Sequence, residues 1–86
     1  MKISNDFITH EDGDSKLLVS TGTSAFSGLV RSHGSAGFII SCLEQDTTED
    51  EIVAKMLEHY DVSEEIARRD VKKVVEQLKK IGAIDE

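Results

Sequence analysis

Residues 26–43 have the sequence FSGLVRSHGSAGFIISCL, and within them the chain changes from a strand pattern to a helix pattern. Residues 26–32 predict a short strand, in which Gly28 marks a bulge or a close backbone neighbour. Residues 34–37 predict a tight turn. Apolar residues then recur at helical spacing and predict a first helix over about residues 35–45; they are Ala36, Ile39, Ile40 and Leu43.

Upstream, two further strands are predicted over residues 7–10 and 16–20. The acidic segment between them contains Gly13, which can take a positive φ, so the two strands form a hairpin. Together with residues 26–32 they make a small antiparallel sheet, which needs a helical layer against one face.

Downstream, Thr48 and Glu51 have the spacing of a capping box and predict the start of a second helix. Its predicted apolar stripe is Ile52, Met56 and Leu57, with Val53 and Tyr60 at the flanks. Asp61 and Ser63 are alternative N-caps for a third helix. That helix has the stripe Ala67, Val71, Val74, Leu78 and Ile81, and Gly82 is its left-handed C-cap before a short extended segment at residues 83–84.

This element order predicts an α+β, winged helix-turn-helix-like fold, with a three-stranded antiparallel sheet followed by three helices. We expect one domain over residues 1–86. A chain of 86 residues buries only about 60% of its unfolded surface, so a deep catalytic cleft with its own cofactor is not expected. We therefore predict no enzyme, no catalytic residue and no cofactor.

The composition favours a protein partner. The formal net charge of −7 repels nucleic acid and anionic lipid, and the chain lacks an apolar stretch of the roughly 20 residues that span a bilayer. A single cysteine, Cys42, cannot form an intrachain disulfide, and the first residues do not resemble a signal peptide. We expect a cytoplasmic protein. The three histidines lie on different predicted elements, so no metal site is predicted.

The third helix carries most of the basic charge. Residues 67–81 hold six basic side chains against Asp70 and Glu76, whereas residues 1–62 have a net charge of −7. One flank of the helix combines basic and apolar side chains beside the core stripe; it consists of Arg68, Lys72, Val75 and Lys79. Two interpretations stay open, a binding ledge or a solvated C-terminal half that the helix dipole favours.

An ordered series of residues resembles the PqqD-like family over most of the chain. The series is residues 26–33, Phe38-Ile39, Leu43, Thr48 with Glu51-Ile52-Val53, Tyr60-Asp61-Val62, and Asp70-Val71 through Leu78 to Gly82. The family comprises peptide chaperones, or RiPP recognition elements, which bind the leader segment of a ribosomally made precursor peptide and present it to a modifying enzyme, often a radical SAM protein. His33 and Ile40 depart from the family, which often has an asparagine and an aromatic residue there.

The resemblance implies that the leader adds as a strand along the third strand, with its side chains between that strand and the third helix. Combined with the residue pattern, it predicts a leader with apolar anchors at alternate positions and at least one carboxylate. The candidate peptide-binding residues are Gly28, Leu29, Val30, Arg31, Ser32, Arg68, Val71, Lys72, Val75 and Lys79.

Two other functions are compatible with the pattern. A winged-helix nucleic-acid-binding domain shares the element order and the basic third helix, but outside that helix the chain has few basic residues. A structural module that docks through the third helix without any peptide is the second alternative. The free edge of the third strand also leaves open a homodimer formed by strand pairing.

Overall fold

The computed structural model describes residues 1–21 and 28–85. Its strands are β1 (Lys2–Ile3), β2 (Phe7–Asp12), β3 (Ser15–Ser20), β4 (Leu29–His33) and β5 (Ile84–Asp85), and its helices are α1 (Gly34–Cys42), α2 (Glu49–His59) and α3 (Glu64–Lys80). Strands β2, β3 and β4 form an antiparallel sheet in that order. The predicted α+β class and the order of sheet and helices are confirmed.

The hairpin has a two-residue turn. Asp12 pairs with Ser15, and Gly13 between them has a φ of 62°, as the sequence predicts. Both strands extend further into the acidic segment than predicted. The third strand of the sheet, β4, includes most of the predicted range; the predicted start at residues 26 and 27 lies outside the described residues.

Helix α1 follows β4 without a connecting turn, so residues 34–37 are its first turn rather than a separate loop. Gly37 is buried where the helix crosses the sheet. A Cβ at this position would lie 3.2 Å from the Ser32 carbonyl oxygen and 3.5 Å from the Lys16 Cβ. The close approach of helix and strand explains why a poor helix former occupies the first turn.

Side-chain caps fix where α2 and α3 begin. The Thr48 hydroxyl accepts from the Glu51 amide at 3.1 Å, but the Glu51 carboxylate accepts from the Thr47 hydroxyl, so only half of the predicted capping box forms. The Ser63 hydroxyl accepts from the Ile66 amide at 3.2 Å, which identifies Ser63 as the N-cap of α3.

The C-terminal end of α3 is a Schellman motif. The Ala83 amide donates to the Leu78 carbonyl at 2.9 Å and the Gly82 amide donates to the Lys79 carbonyl at 3.1 Å, with Gly82 at a φ of 74°. The chain then returns along the N-terminus, where β5 pairs with β1. Strand β1 was not predicted, because two residues are too few for a periodic signal.

The core lies between the inner face of the sheet and the three helices. Its largest fully buried side chains are Leu18, Ile39, Ile40, Leu43, Ile52, Met56 and Val71. In α2, Val53 is buried and Leu57 is 39% exposed, the reverse of the predicted positions. Across residues 1–21 and 28–85, none of the helices combines the length and the apolar character that crossing a membrane requires.

Candidate functional site

Along β4, the backbone N–H and C=O groups of successive residues point alternately towards the partner strand β3 and towards the free edge of the sheet. The Ser20 amide donates to the Gly28 carbonyl at 3.2 Å, in register with the pairs Val19–Leu29 and Leu18–Val30. Hydrogen-bonded and non-bonded pairs alternate in an antiparallel ladder. The N–H and C=O groups of Val30 and Ser32 therefore bond β3.

The same alternation turns the backbone groups of three other residues towards the free edge. These are Leu29, Arg31 and His33, whose side chains lie on the outer face of the sheet, with Leu29 52% exposed. The side chains of Val30 and Ser32 lie on the inner face and are half-buried. Strand β4 thus offers three N–H groups and the C=O groups of Leu29 and Arg31 to an incoming strand, because the carbonyl of His33, the N-cap of α1, faces the first turn of that helix.

A groove of about 270 Å³ lies between α1 and α3. One wall of the groove is formed by the part of α1 that directly follows β4, where Ile39 is fully buried. Its α3 side carries Val74, which is half-buried. The full lining is Ser35, Ala36, Ile39, Asp70, Lys73, Val74 and Gln77. An apolar base and a polar margin suit a side chain with an apolar body.

Lys73 supplies a cation to this groove. It is exposed, and among the ion pairs of the described residues it has no carboxylate partner. Asp70, also in the lining, is half-buried. Lys73 can therefore bind a carboxylate at the margin of the groove, against the repulsion of Asp70 in the same lining, while the groove encloses an apolar group.

The predicted basic flank lies on the opposite side of α3. Arg68 Nη1 donates to the Asp50 carboxylate of α2 at 2.7 Å, and Arg68 also lies 3.7 Å from Glu64. The bond to Asp50 is the main reason that the pKa of Arg68 is raised. At 100° per residue, Arg68, Lys72 and Lys79 lie within about 100° of Val71 on one side of the helix axis. Lys73 lies about 160° from Val71 on the other side. The predicted flank is therefore separate from the α1–α3 groove.

Val71 and Val75, both predicted to contact the peptide, are core residues. Their side chains are 0% and 2% exposed, so they offer almost no surface to a ligand. The buried stripe of α3 is Ala67, Val71, Val75 and Leu78. The prediction placed Val74 in that stripe instead. Because valines occupy both positions 74 and 75, the apolar pattern does not fix the rotation of the helix about its axis. The sequence therefore does not show that Val74 and Lys73 line the groove.

The described residues contain no group of three His, Cys, Asp or Glu side chains that could hold a metal ion. Burial raises the pKa of the Cys42 thiol, and the charge of Lys55 only partly opposes this effect. A thiol with a raised pKa is a weak nucleophile at neutral pH.

Comparison with known proteins identifies a family. The model of the family described as "Coenzyme PQQ synthesis protein D (PqqD)" matches residues 16–84. Among curated proteins nothing matches. A solved structure of TbiB1 in complex with the TbiA(β) leader peptide is 25% identical, covers 99% of this chain and 100% of its own, and has a TM-score of 0.80. A lasso peptide synthetase B1 complexed with its leader peptide is 16% identical, covers 95% and 93%, and has a TM-score of 0.78, a likeness of fold.

Proposed function

The chain belongs to the PqqD family, and we propose that it binds the leader segment of a ribosomally synthesised precursor peptide as an added strand on β4. The observation that carries this proposal is the position of the outward backbone groups of Leu29, Arg31 and His33 near the start of α1, which lines the α1–α3 groove. The complex of TbiB1 with a leader peptide, which has the same fold, supports the proposal.

The backbone bonds alone give modest affinity. Each contributes roughly 0.5–1.5 kcal/mol net, and ordering an extended peptide offsets much of that sum. Side-chain anchors must therefore supply specificity. Alternate residues of an added strand face the helical layer, where the groove beside Val74 and Ile39 takes apolar side chains.

Lys73 is the residue that we expect to bind a leader carboxylate. Of the basic residues that the sequence favoured, Arg68, Lys72 and Lys79, Arg68 already pairs with Asp50, and a peptide carboxylate would have to compete with that bond. Lys73 lines the groove and has no such competitor among the described ion pairs. We therefore keep the predicted carboxylate on the leader and assign its binding to Lys73, on the flank of α3 opposite Arg68.

The proposed role is non-catalytic: the protein holds the leader so that a separate modifying enzyme, a radical SAM protein in the family resemblance, acts on the rest of the precursor. The match to the PqqD family supports this assignment. The nucleic-acid alternative gains no support from the family match or from the two solved structures, and the pairing of Arg68 with Asp50 makes part of the basic flank less available to phosphates.

A matched pair of lysine variants tests the proposal. The ligand is a fluorescently labelled peptide that comprises the leader half of a precursor encoded beside the gene, and the measurement is anisotropy. We expect Lys73→Gln to weaken binding about two- to fivefold, the effect of a partly exposed charge pair, and to reduce its salt dependence. Lys72→Gln removes the same charge one residue away and should change affinity less than twofold.

Saturable binding by the unmodified protein is the result that supports peptide capture. Absence of binding at millimolar peptide would contradict the proposed function itself. Equal losses in Lys73→Gln and Lys72→Gln would leave peptide capture standing but would contradict the assignment of the carboxylate to the α1–α3 groove.

A further inference from the structure

Strand β2 is the second edge strand of the sheet, and its backbone N–H and C=O groups also point alternately towards β3 and towards the free edge. The Thr21 amide donates to the Asp6 carbonyl at 2.8 Å, in register with the pair Phe7–Ser20. Alternation along the ladder then places the bonds to β3 at Ile8 and His10 and turns the N–H and C=O groups of Thr9 and Glu11 outward. These four groups have no hydrogen-bond partner among the described residues.

A groove of about 380 Å³ lies beside this edge. Residues 2–5, the first three residues of β2 (Phe7, Ile8 and Thr9) and Glu44 line it, and Thr9 contributes to both the edge and the groove. A strand added to β2 would place alternate side chains over this groove, because side chains of neighbouring strands share a face. The groove and the outward backbone groups together form what we term the β2 docking edge.

Glu44 gives the β2 docking edge its chemical preference. Its Oε1 accepts from the ammonium of Lys16 at 2.5 Å and from the Thr9 hydroxyl at 2.6 Å, whereas its Oε2 has no partner among the described residues. The side chain is 38% exposed. Burial tends to raise the pKa of Glu44, but the bonds from Lys16 and Thr9 and the Lys16 charge outweigh it and lower the pKa, so the carboxylate is ionised at neutral pH.

The surrounding charge is acidic. Glu11 and Asp12 are exposed on β2, where Asp12 pairs with Arg31 on the outer face, and the ammonium of Lys16 is buried beside Glu44 and Glu11. Lys2, the cation in the groove lining, interacts weakly with Asp46, whose carboxylate is bound mainly by the N-terminal ammonium of Met1 at 2.8 Å. Glu44 and Glu11 share the single ammonium of Lys16, so a cation that approaches the free Oε2 of Glu44 is attracted by the uncompensated negative charge of this pair.

We propose that the β2 docking edge binds an extended, cationic segment of a partner protein, with a lysine or arginine side chain on Oε2 of Glu44. The segment adds as a strand to Thr9 and Glu11. Because β2 and β4 are opposite edges of the same sheet, this site is independent of peptide capture at β4, and both edges can be occupied together.

The test uses two synthetic octapeptides with blocked termini and ¹⁵N-labelled full-length protein. In one peptide valine alternates with arginine, and in the other glutamate replaces arginine. We expect the cationic peptide to shift the amides of Thr9 and Glu11 in a saturable manner, and the acidic peptide to leave them unchanged. Glu44→Gln should weaken the cationic peptide at least about fivefold, as expected for a hydrogen bond between charged groups.

Glu58→Gln is the matched control, because it removes the same charge from an exposed site on α2. Glu11→Pro is a second variant that leaves Glu44 in place and removes an outward N–H, which edge strands tolerate; it should weaken the cationic peptide relative to Glu11→Gln. Four results would overturn the proposal: no shifts at millimolar peptide, shifts confined to residues 29–33, equal losses in Glu44→Gln and Glu58→Gln, or equal affinities of Glu11→Pro and Glu11→Gln. None of these results contradicts leader binding at β4.

Discussion

Arg31→Pro is the perturbation that separates strand addition from other modes of peptide binding. The N–H of Arg31 faces the free edge of the sheet, so proline at this position removes no bond between β4 and β3. Proline is compatible with edge strands whose N–H faces solvent. An incoming strand, however, loses its central donor and meets the pyrrolidine ring.

The expected loss follows from the geometry. The ring removes the N–H bond of Arg31 and displaces the peptide from the adjacent carbonyl, so about two backbone bonds are lost. At about 1 kcal/mol each, the cost is about 2 kcal/mol, or about thirtyfold in the dissociation constant. Arg31→Ala is the control: it removes the exposed pair with Asp12 on the outer face and should cost less than about threefold.

Anisotropy of the labelled leader gives both dissociation constants, and thermal unfolding shows whether each variant is folded. The prediction requires Arg31→Pro to keep a cooperative transition, since the bonds of Val30 and Ser32 to β3 remain. If folded Arg31→Pro bound the leader as tightly as Arg31→Ala, the peptide would not pair with β4 and the reasoning would be refuted.

Two further predictions concern stability. Glu44→Gln leaves the buried ammonium of Lys16 with weaker partners and should lower the free energy of unfolding by roughly 1–3 kcal/mol at neutral pH. The folded-state pKa of Glu44 is lowered, so the stability difference between wild type and Glu44→Gln is complete above the unfolded pKa of about 4.3 and is lost as the pH falls through the folded pKa. Denaturant unfolding at several pH values measures this difference. A difference that did not change with pH would contradict the stabilising role of the Glu44 carboxylate. Val71→Ala should lower the free energy of unfolding by about 2 kcal/mol, and the folded variant should bind the leader with an affinity within about twofold of wild type. The control Lys72→Ala should change the free energy of unfolding by less than about 0.5 kcal/mol. If folded Val71→Ala lost leader binding, Val71 would belong to the binding surface.

The local signals in the sequence were sufficient for most of the fold. Gly13 and the alternating residues beside it determine the hairpin, and Ser63 and Gly82 mark the two ends of α3. Each of these signals acts over a few residues, through a turn conformation or a cap. The pairing of β1 with β5 brings together the two ends of the chain, and no local pattern encodes it.

The candidate site was predicted in part. Edge strand β4 followed from the order of the strands, but the facing side of α3 did not, because Val74 and Val75 fit an apolar stripe equally well. Burial of Val75 rotates the helix so that Lys73 rather than Lys72 lies beside α1. A shift of one residue, about 100°, exchanges the flanks. Packing against α1 and α2 decides between them, and that information is tertiary.

Hydrogen exchange of the β4 amides is the most direct measurement of the central claim. In the free protein, the amides of Val30 and Ser32 should exchange slowly, since they bond β3, and those of Leu29, Arg31 and His33 should exchange rapidly. Saturation with the leader peptide should slow these three outward amides specifically. Unchanged exchange at Leu29, Arg31 and His33 in the saturated complex would contradict strand addition on β4.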